Sequence, residues 1–222
     1  MNYLSHFVID HRQGDHYYNT ALILPDITKR WIKTFKSPDP AASFLPEQHH
    51  LLQGCLQHYE SDKRFHASRF FEHYQQLINA HLKAKTFSPD VNRKWFIAHI
   101  LTELLIDRRI VVTEPALVDA FYDSLNRVDQ DILTGFLQYY GMAEPAEFFK
   151  FFDHFRSVQY IYYYADNNKF LYSLNRIMMR VGIKELSDAD AAILLEAILE
   201  IEATYMKDGN ALINELKQVF TE

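Results

Sequence analysis

Apolar residues recur three and four positions apart through most of this chain, the period of helices that bury one face. Strand-like alternation is scarce, and only 6 glycines occur in 222 residues. Prolines stand at junctions rather than inside periodic runs. Thr113-Glu114-Pro115 and Ser88-Pro89-Asp90 read as helix starts, with a capping side chain, a first-turn proline and an early acid. Ser187-Asp188-Ala189-Asp190 is a capping-type start, and Gly141 and Gly182 are C-terminal stops. The expected architecture is all-α, with about ten helices in one domain over residues 1–222. The long helices should cover 47–83, 89–112, 145–165 and 187–206. Residues 36–46 form the least regular stretch and read as a surface loop.

One helix is unusual. In the stretch WFIAHILTELLIDRR (Trp95 to Arg109), apolar residues lie on both sides. Ile97, Leu101 and Leu104 take one side; Phe96, Ile100 and Ile110 take the other. A helix that is apolar all round is a buried, central one. Yet His99, Glu103 and Asp107 form a stripe along it at four-residue spacing. A buried carboxylate needs a hydrogen-bond partner, a cation or a wet cleft, because burying an uncompensated charge is prohibitive. The preceding helix carries a similar stripe in HYESDKRFH, where His58, Asp62 and His66 stand at four-residue intervals. Facing each other, the two stripes would make a pocket of imidazole nitrogens and carboxylate oxygens. Such donors suit manganese, iron, zinc or magnesium. Equally, a histidine and an acid at this spacing can form a local ion pair and nothing more. His73, His81 and the His49-His50 pair read as surface or helix-start residues.

Composition narrows the classes. Formal net charge is −6, from 29 acidic and 23 basic side chains, and there is no basic run. Nucleic-acid binding by phosphate neutralisation is therefore not expected. No apolar stretch reaches the ~20 residues of a membrane span, and MNYLSHFVIDHR lacks a signal-peptide pattern. A single cysteine, Cys55, excludes an internal disulfide and fits a reducing cytoplasm. With 17 Phe and 14 Tyr, tracts such as YIYYYADNNKFLY could line an apolar groove, form core, or make a subunit contact in a homodimer.

These motifs resemble those of the acyl carrier protein phosphodiesterase family, a branch of the HD-type metal-dependent phosphohydrolases. Its members open with Met-Asn-aromatic-Leu-small-His, and this chain opens MNYLSH, with His6 in place. The family's Asn-Leu-Leu-Ala-Asp segment corresponds to LILPD, ending at Asp26. The pattern Gly-x3-His-x3-Asp-x3-Asp is matched by Gly54, His58 and Asp62, with His66 in place of the last acid. In the family's Asp-x3-Asp-His-Phe-Leu-x-Arg segment, HILTELLIDR supplies His99, Glu103 and Arg108, and Leu104 stands where the family has histidine. VQYIYYYAD and LNRIMMR resemble two later family segments. FDHF (Asp153-His154) looks like a displaced dyad but falls elsewhere.

The resemblance implies an HD-type helical fold and a divalent cation, manganese first, with iron, zinc or magnesium as alternatives. Its metal ligands would be drawn from His6, Asp26, His58, Asp62, His66 and His99. Asp62 and Glu103 would be catalytic, and Arg108 would hold a substrate phosphate oxygen. The family reaction hydrolyses the phosphodiester joining 4′-phosphopantetheine to a serine of acyl carrier protein, so the partner would be that acidic protein or a smaller phosphoester. Lys63-Arg64, Arg69 and Arg108-Arg109 are the local basic points. The alternative is a non-catalytic descendant in which the histidine–acid pairs only cross-link helices and the fold binds a ligand or protein.

Overall fold

The computed structural model describes residues 1–41 and 43–221. Among these are twelve α-helices and one 3-10 helix, with no strand. No helix is long and apolar enough to cross a membrane. The chain divides into two compact units. One holds Met1, Tyr3–Lys63 and Ala116–Tyr160; the other holds Asn2, Arg64–Pro115 and the chain from Ile161 onward.

In the first unit, α1 (Tyr3–Asp10), α2 (His16–Ala21), α3 (Leu24–Thr28) and most of α4 (Pro46–His66) come from the N-terminal part. Asp15 caps α2 by accepting a hydrogen bond from the Tyr18 amide at 3.0 Å, and Pro25 sits in the first turn of α3. The chain returns as α7 (Pro115–Asn126), α8 (Gln130–Tyr139) and α9 (Ala146–Val158). Phe148, Phe149, Phe152 and Phe155 of α9 all point inward, while Asp153 and His154 are exposed. FDHF is thus the outer edge of an amphipathic helix. After α8, Gly141 adopts φ +97°, its amide bonds Gln138 O, and the Met142 amide bonds Leu137 O. That is a Schellman stop, with Met142 and Leu137 both buried.

The second unit holds α5 (Arg69–Ala84), α6 (Lys94–Thr113), α10 (Asn167–Arg180), α11 (Asp188–Tyr205) and α12 (Gly209–Gln218); α6 packs on α5, α10 and α12, and α11 packs on α5 and α10. Twelve α6 residues are buried, as an all-round apolar sequence requires. The Thr102 hydroxyl satisfies itself on Ala98 O at 2.8 Å. Gly182 (φ +78°) ends α10 with the same Schellman bonds, from Ile183 and Gly182 amides to Met178 O and Met179 O.

Three expected helices have different bounds. The run 47–83 is two helices, because the Ser68 side chain accepts from the Phe71 amide at 3.1 Å and caps a fresh start for α5. The helix expected from 89 begins at Lys94. Ser88 does not cap it: its amide and hydroxyl both donate to the Asp190 carboxylate, at 2.8 and 2.6 Å. The span 145–165 is broken at Gln159, whose φ of +51° is left-handed, and continues as a 3-10 helix, Tyr160–Ala165. Ser187 does start α11, accepting from the Asp190 amide at 3.2 Å.

Candidate metal centre

Two groups of imidazole and carboxylate ligands are assembled among the described residues, one in each unit: His6, Asp26 and His58, and His66, His99 and Glu103. Within each group the ligand atoms lie within 4.8 Å of one another.

The first group is built by backbone packing. Gly54, one turn before His58 on α4, faces α2. A β-carbon there would overlap the Tyr18 carbonyl oxygen and stand 2.7 Å from Ala21 Cβ. Only glycine lets α2 lie this close to α4. That approach brings the Leu22 carbonyl, just past the end of α2, to 2.8 Å from His58 Nδ1. A carbonyl only accepts, so Nδ1 carries the hydrogen, and in the neutral ring the Nε2 lone pair faces outward. Nε2 looks at Asp26 Oδ1, 3.8 Å away. That is too long for a hydrogen bond. It matches two ligands sharing one ion, about 3–4 Å apart for bonds of about 2.0–2.2 Å. The His6 ring, fully buried on α1, stacks on His58 with centroids 4.0 Å apart. Two nitrogens and one oxygen fit manganese, iron or zinc; magnesium, which prefers oxygen, fits less well. A histidine whose far nitrogen is fixed on a backbone carbonyl is the usual supporting arrangement for a metal ligand.

The second group has the opposite proton arrangement. The Gln75 amide nitrogen can only donate, and it stands 3.4 Å from His99 Nδ1. His99 then carries its hydrogen on Nε2, directed at Glu103 Oε1 3.2 Å away. His66 Nε2 lies 3.5 Å from the same oxygen, and the two rings stack at 5.0 Å. Burial pushes the Glu103 carboxyl up, but the His99 hydrogen bond and the charges of His99 and His66 are among the influences that more than offset it. The net shift is downward. These contacts already give the carboxylate what a buried acid needs.

The remaining candidates are members of neither group. Asp62, one turn beyond His58, pairs with the Met1 ammonium at 2.5 Å and is 39% exposed. Arg108 is buried, and each guanidinium nitrogen holds a protein oxygen. Nε reaches both Glu202 oxygens at 3.0 and 3.1 Å, Nη1 the Tyr164 carbonyl at 2.7 Å, and Nη2 Asn167 Oδ1 at 2.5 Å. Its guanidinium carbon also lies 4.9 Å from the centre of the Phe170 ring. That set leaves the fork committed to the fold rather than presented to a phosphate. Leu104, which the resemblance sets against a histidine, is buried on α6. Asp107 is fully buried, and its Oδ2 accepts from the side-chain Nδ2 of Asn2 at 2.8 Å. His81 pairs with Glu200 at 2.7 Å, and His50 with Asp15 at 2.9 Å.

The Leu22 carbonyl, the Gly54 contact and Gln75 are the site features with no advance signal. A backbone acceptor leaves no residue-type signature, and Gly54 was distinguished only by its place in a motif. Comparison with protein-family models, curated proteins and solved structures finds no match to this chain.

Proposed function

We propose that this protein is a metal-dependent phosphodiester hydrolase of HD type, acting on the phosphopantetheine phosphodiester of acyl carrier protein or on a related phosphoester. The observation that carries the reading is the His58–Asp26 pair, with its proton fixed away from the facing lone pairs and its 3.8 Å gap. His6, Asp26 and His58 are the residues we assign to hold the ion. When bound, a divalent ion would polarise a phosphoryl oxygen and acidify water near neutral pH. The chain's own part is positional. Leu22 and Gly54 orient His58, the buried His6 ring excludes water from one side, and Asp62 supplies the part-exposed carboxylate that can accept a proton. Glu103, held below the usual carboxylate range, is a poor base, so we assign it to bind His66 and His99. Lys63, Arg64 and Arg69 are exposed and supply positive charge for an acidic partner.

The non-catalytic reading draws support from one contact, the pairing of Asp62 with the Met1 ammonium, which occupies one of its carboxylate oxygens. Metal analysis of protein purified without chelator, followed by manganese-supported hydrolysis of an aryl phosphodiester and of holo-acyl carrier protein, separates the two. Hydrolysis lost in Asp62→Ala and His58→Ala, both folded, supports the enzyme. Absence of metal and of turnover leaves the binding module.

A further inference from the structure

A second site lies in the first unit, on residues that the metal reading does not use. A cleft of about 320 Å³ opens between the α1–α2 turn and α7, at the small end of ligand-sized cavities. Arg12, Arg127, His11 and His16 line it, together with Asp123 and Asn19. Two arginines against one aspartate leave it one positive charge with both imidazoles neutral, in a chain of net charge −6. Asp15 is not part of the lining; its Oδ2 lies 2.9 Å from His50 Nδ1 and its Oδ1 accepts from the Tyr18 amide.

Arg12 is held in advance of any ligand. Asn19 is buried and clamps the Arg12 peptide from both sides, its Oδ1 accepting from the amide at 2.8 Å and its Nδ2 donating to the carbonyl at 2.9 Å. Asn19 is itself placed by Ser124, 3.5 Å away on α7. Gly14, at φ +79°, completes the turn, and the Asp15 amide returns to Arg12 O at 3.2 Å. The Arg12 guanidinium lies 3.7 Å over the Tyr18 ring, and Nη1 donates to Gln53 at 3.0 Å. Arg127 directs Nε to Asp123 at 3.0 Å, which leaves its two Nη groups without a partner among the described residues. The His11 Nδ1 hydrogen is used on Phe7 O at 2.9 Å, so Nε2 is the nitrogen left for the cleft. An arginine whose side chain is already immobilised loses less entropy when it binds, and a planar fork fits an oxyanion edge.

We propose that this cleft binds a phosphate group, free or on a small monoester, gripped by Arg12 and Arg127 with His11 and His16 beside it. The test is calorimetric titration of chelator-treated protein with inorganic phosphate and with phenyl phosphate. Saturable binding is expected for at least one probe, weakened tenfold or more in both Arg12→Ala and Arg127→Ala and unchanged in His58→Ala. Tighter binding of phenyl phosphate identifies an ester as the ligand, and tighter binding of inorganic phosphate identifies the free ion. Arg127 is 66% exposed, so its variant keeps the fold even if Arg12→Ala does not. No saturable binding overturns the proposal. So does binding that survives both arginine changes, or binding that is lost only in His58→Ala. The last result would put the anion at the metal ligands instead, and removing metal first keeps the two readings distinguishable.

Discussion

The His58 ring is fastened to the Leu22 carbonyl oxygen at 2.8 Å, and that one contact decides which of its nitrogens can be a ligand. If the ring serves an ion, its truncation should remove the ion without removing the helix. His58→Ala should weaken manganese or zinc binding by more than the about 10–100-fold that loss of a supporting partner costs. Metal content by mass spectrometry and helicity by circular dichroism check this. Equal metal in variant and wild type refutes the assignment.

Gly54→Ala tests the packing beneath the site. The new methyl collides with backbone at Tyr18, which cannot rotate away as a side-chain tip could. A loss of about 1–3 kcal/mol is expected, read as a thermal midpoint lower by about 2–4 °C per kcal/mol. Metal affinity should fall too, because Leu22 would move off His58. A variant with unaltered midpoint contradicts the close contact.

Arg108 and Glu202 are both buried, and each satisfies the other. Removing one leaves a charge stranded, so Arg108→Met or Glu202→Leu alone should cost about 3–5 kcal/mol, and the double change less than the sum. Urea unfolding of the three variants measures this. A phosphate-binding role for Arg108 instead predicts a defect in substrate binding with stability kept.

Asp190 gives a pH signature. Hydrogen bonds from the Ser88 hydroxyl, the Ser88 amide and Ser187 hold its carboxyl below the usual value of 3.8. The folded pKa is depressed, so the stabilisation is present above the unfolded pKa and is lost as pH falls through the folded one. Asp190→Asn should therefore lower the urea midpoint at pH 7. The gap should narrow in acid, below about pH 4. A gap that stays constant to pH 2 excludes this linkage.

Element type was legible and element continuity was not. Three-and-four periodicity runs through Ala67-Ser68, because Phe65, Phe70 and Phe71 keep the core pattern on both sides. Only the Ser68 cap shows that α5 starts anew. Ser88-Pro89-Asp90 carried every mark of a start, yet a carboxylate 102 positions away takes the serine, which no local rule can foresee. Asp153-His154, set aside in the sequence as a displaced dyad in a Phe-rich helix, lies on the exposed side of α9. Within the site, His99–Glu103 followed from spacing alone. Spacing alone set His58 with His66, while the resemblance set it with His6 and Asp26; the grouping with His6 and Asp26 is the one formed, through backbone contacts of α2 with α4 that side-chain spacing does not carry.

The cap at Ser68 bears on what length changes the chain tolerates. Because α5 begins afresh there, an amino acid added at Ala67 merely enlarges a connection. The same addition between His99 and Glu103 would swing one about 100° around the axis from the other. Genetic drift in chain length should thus be absorbed at the joint and rejected four residues from the carboxylate.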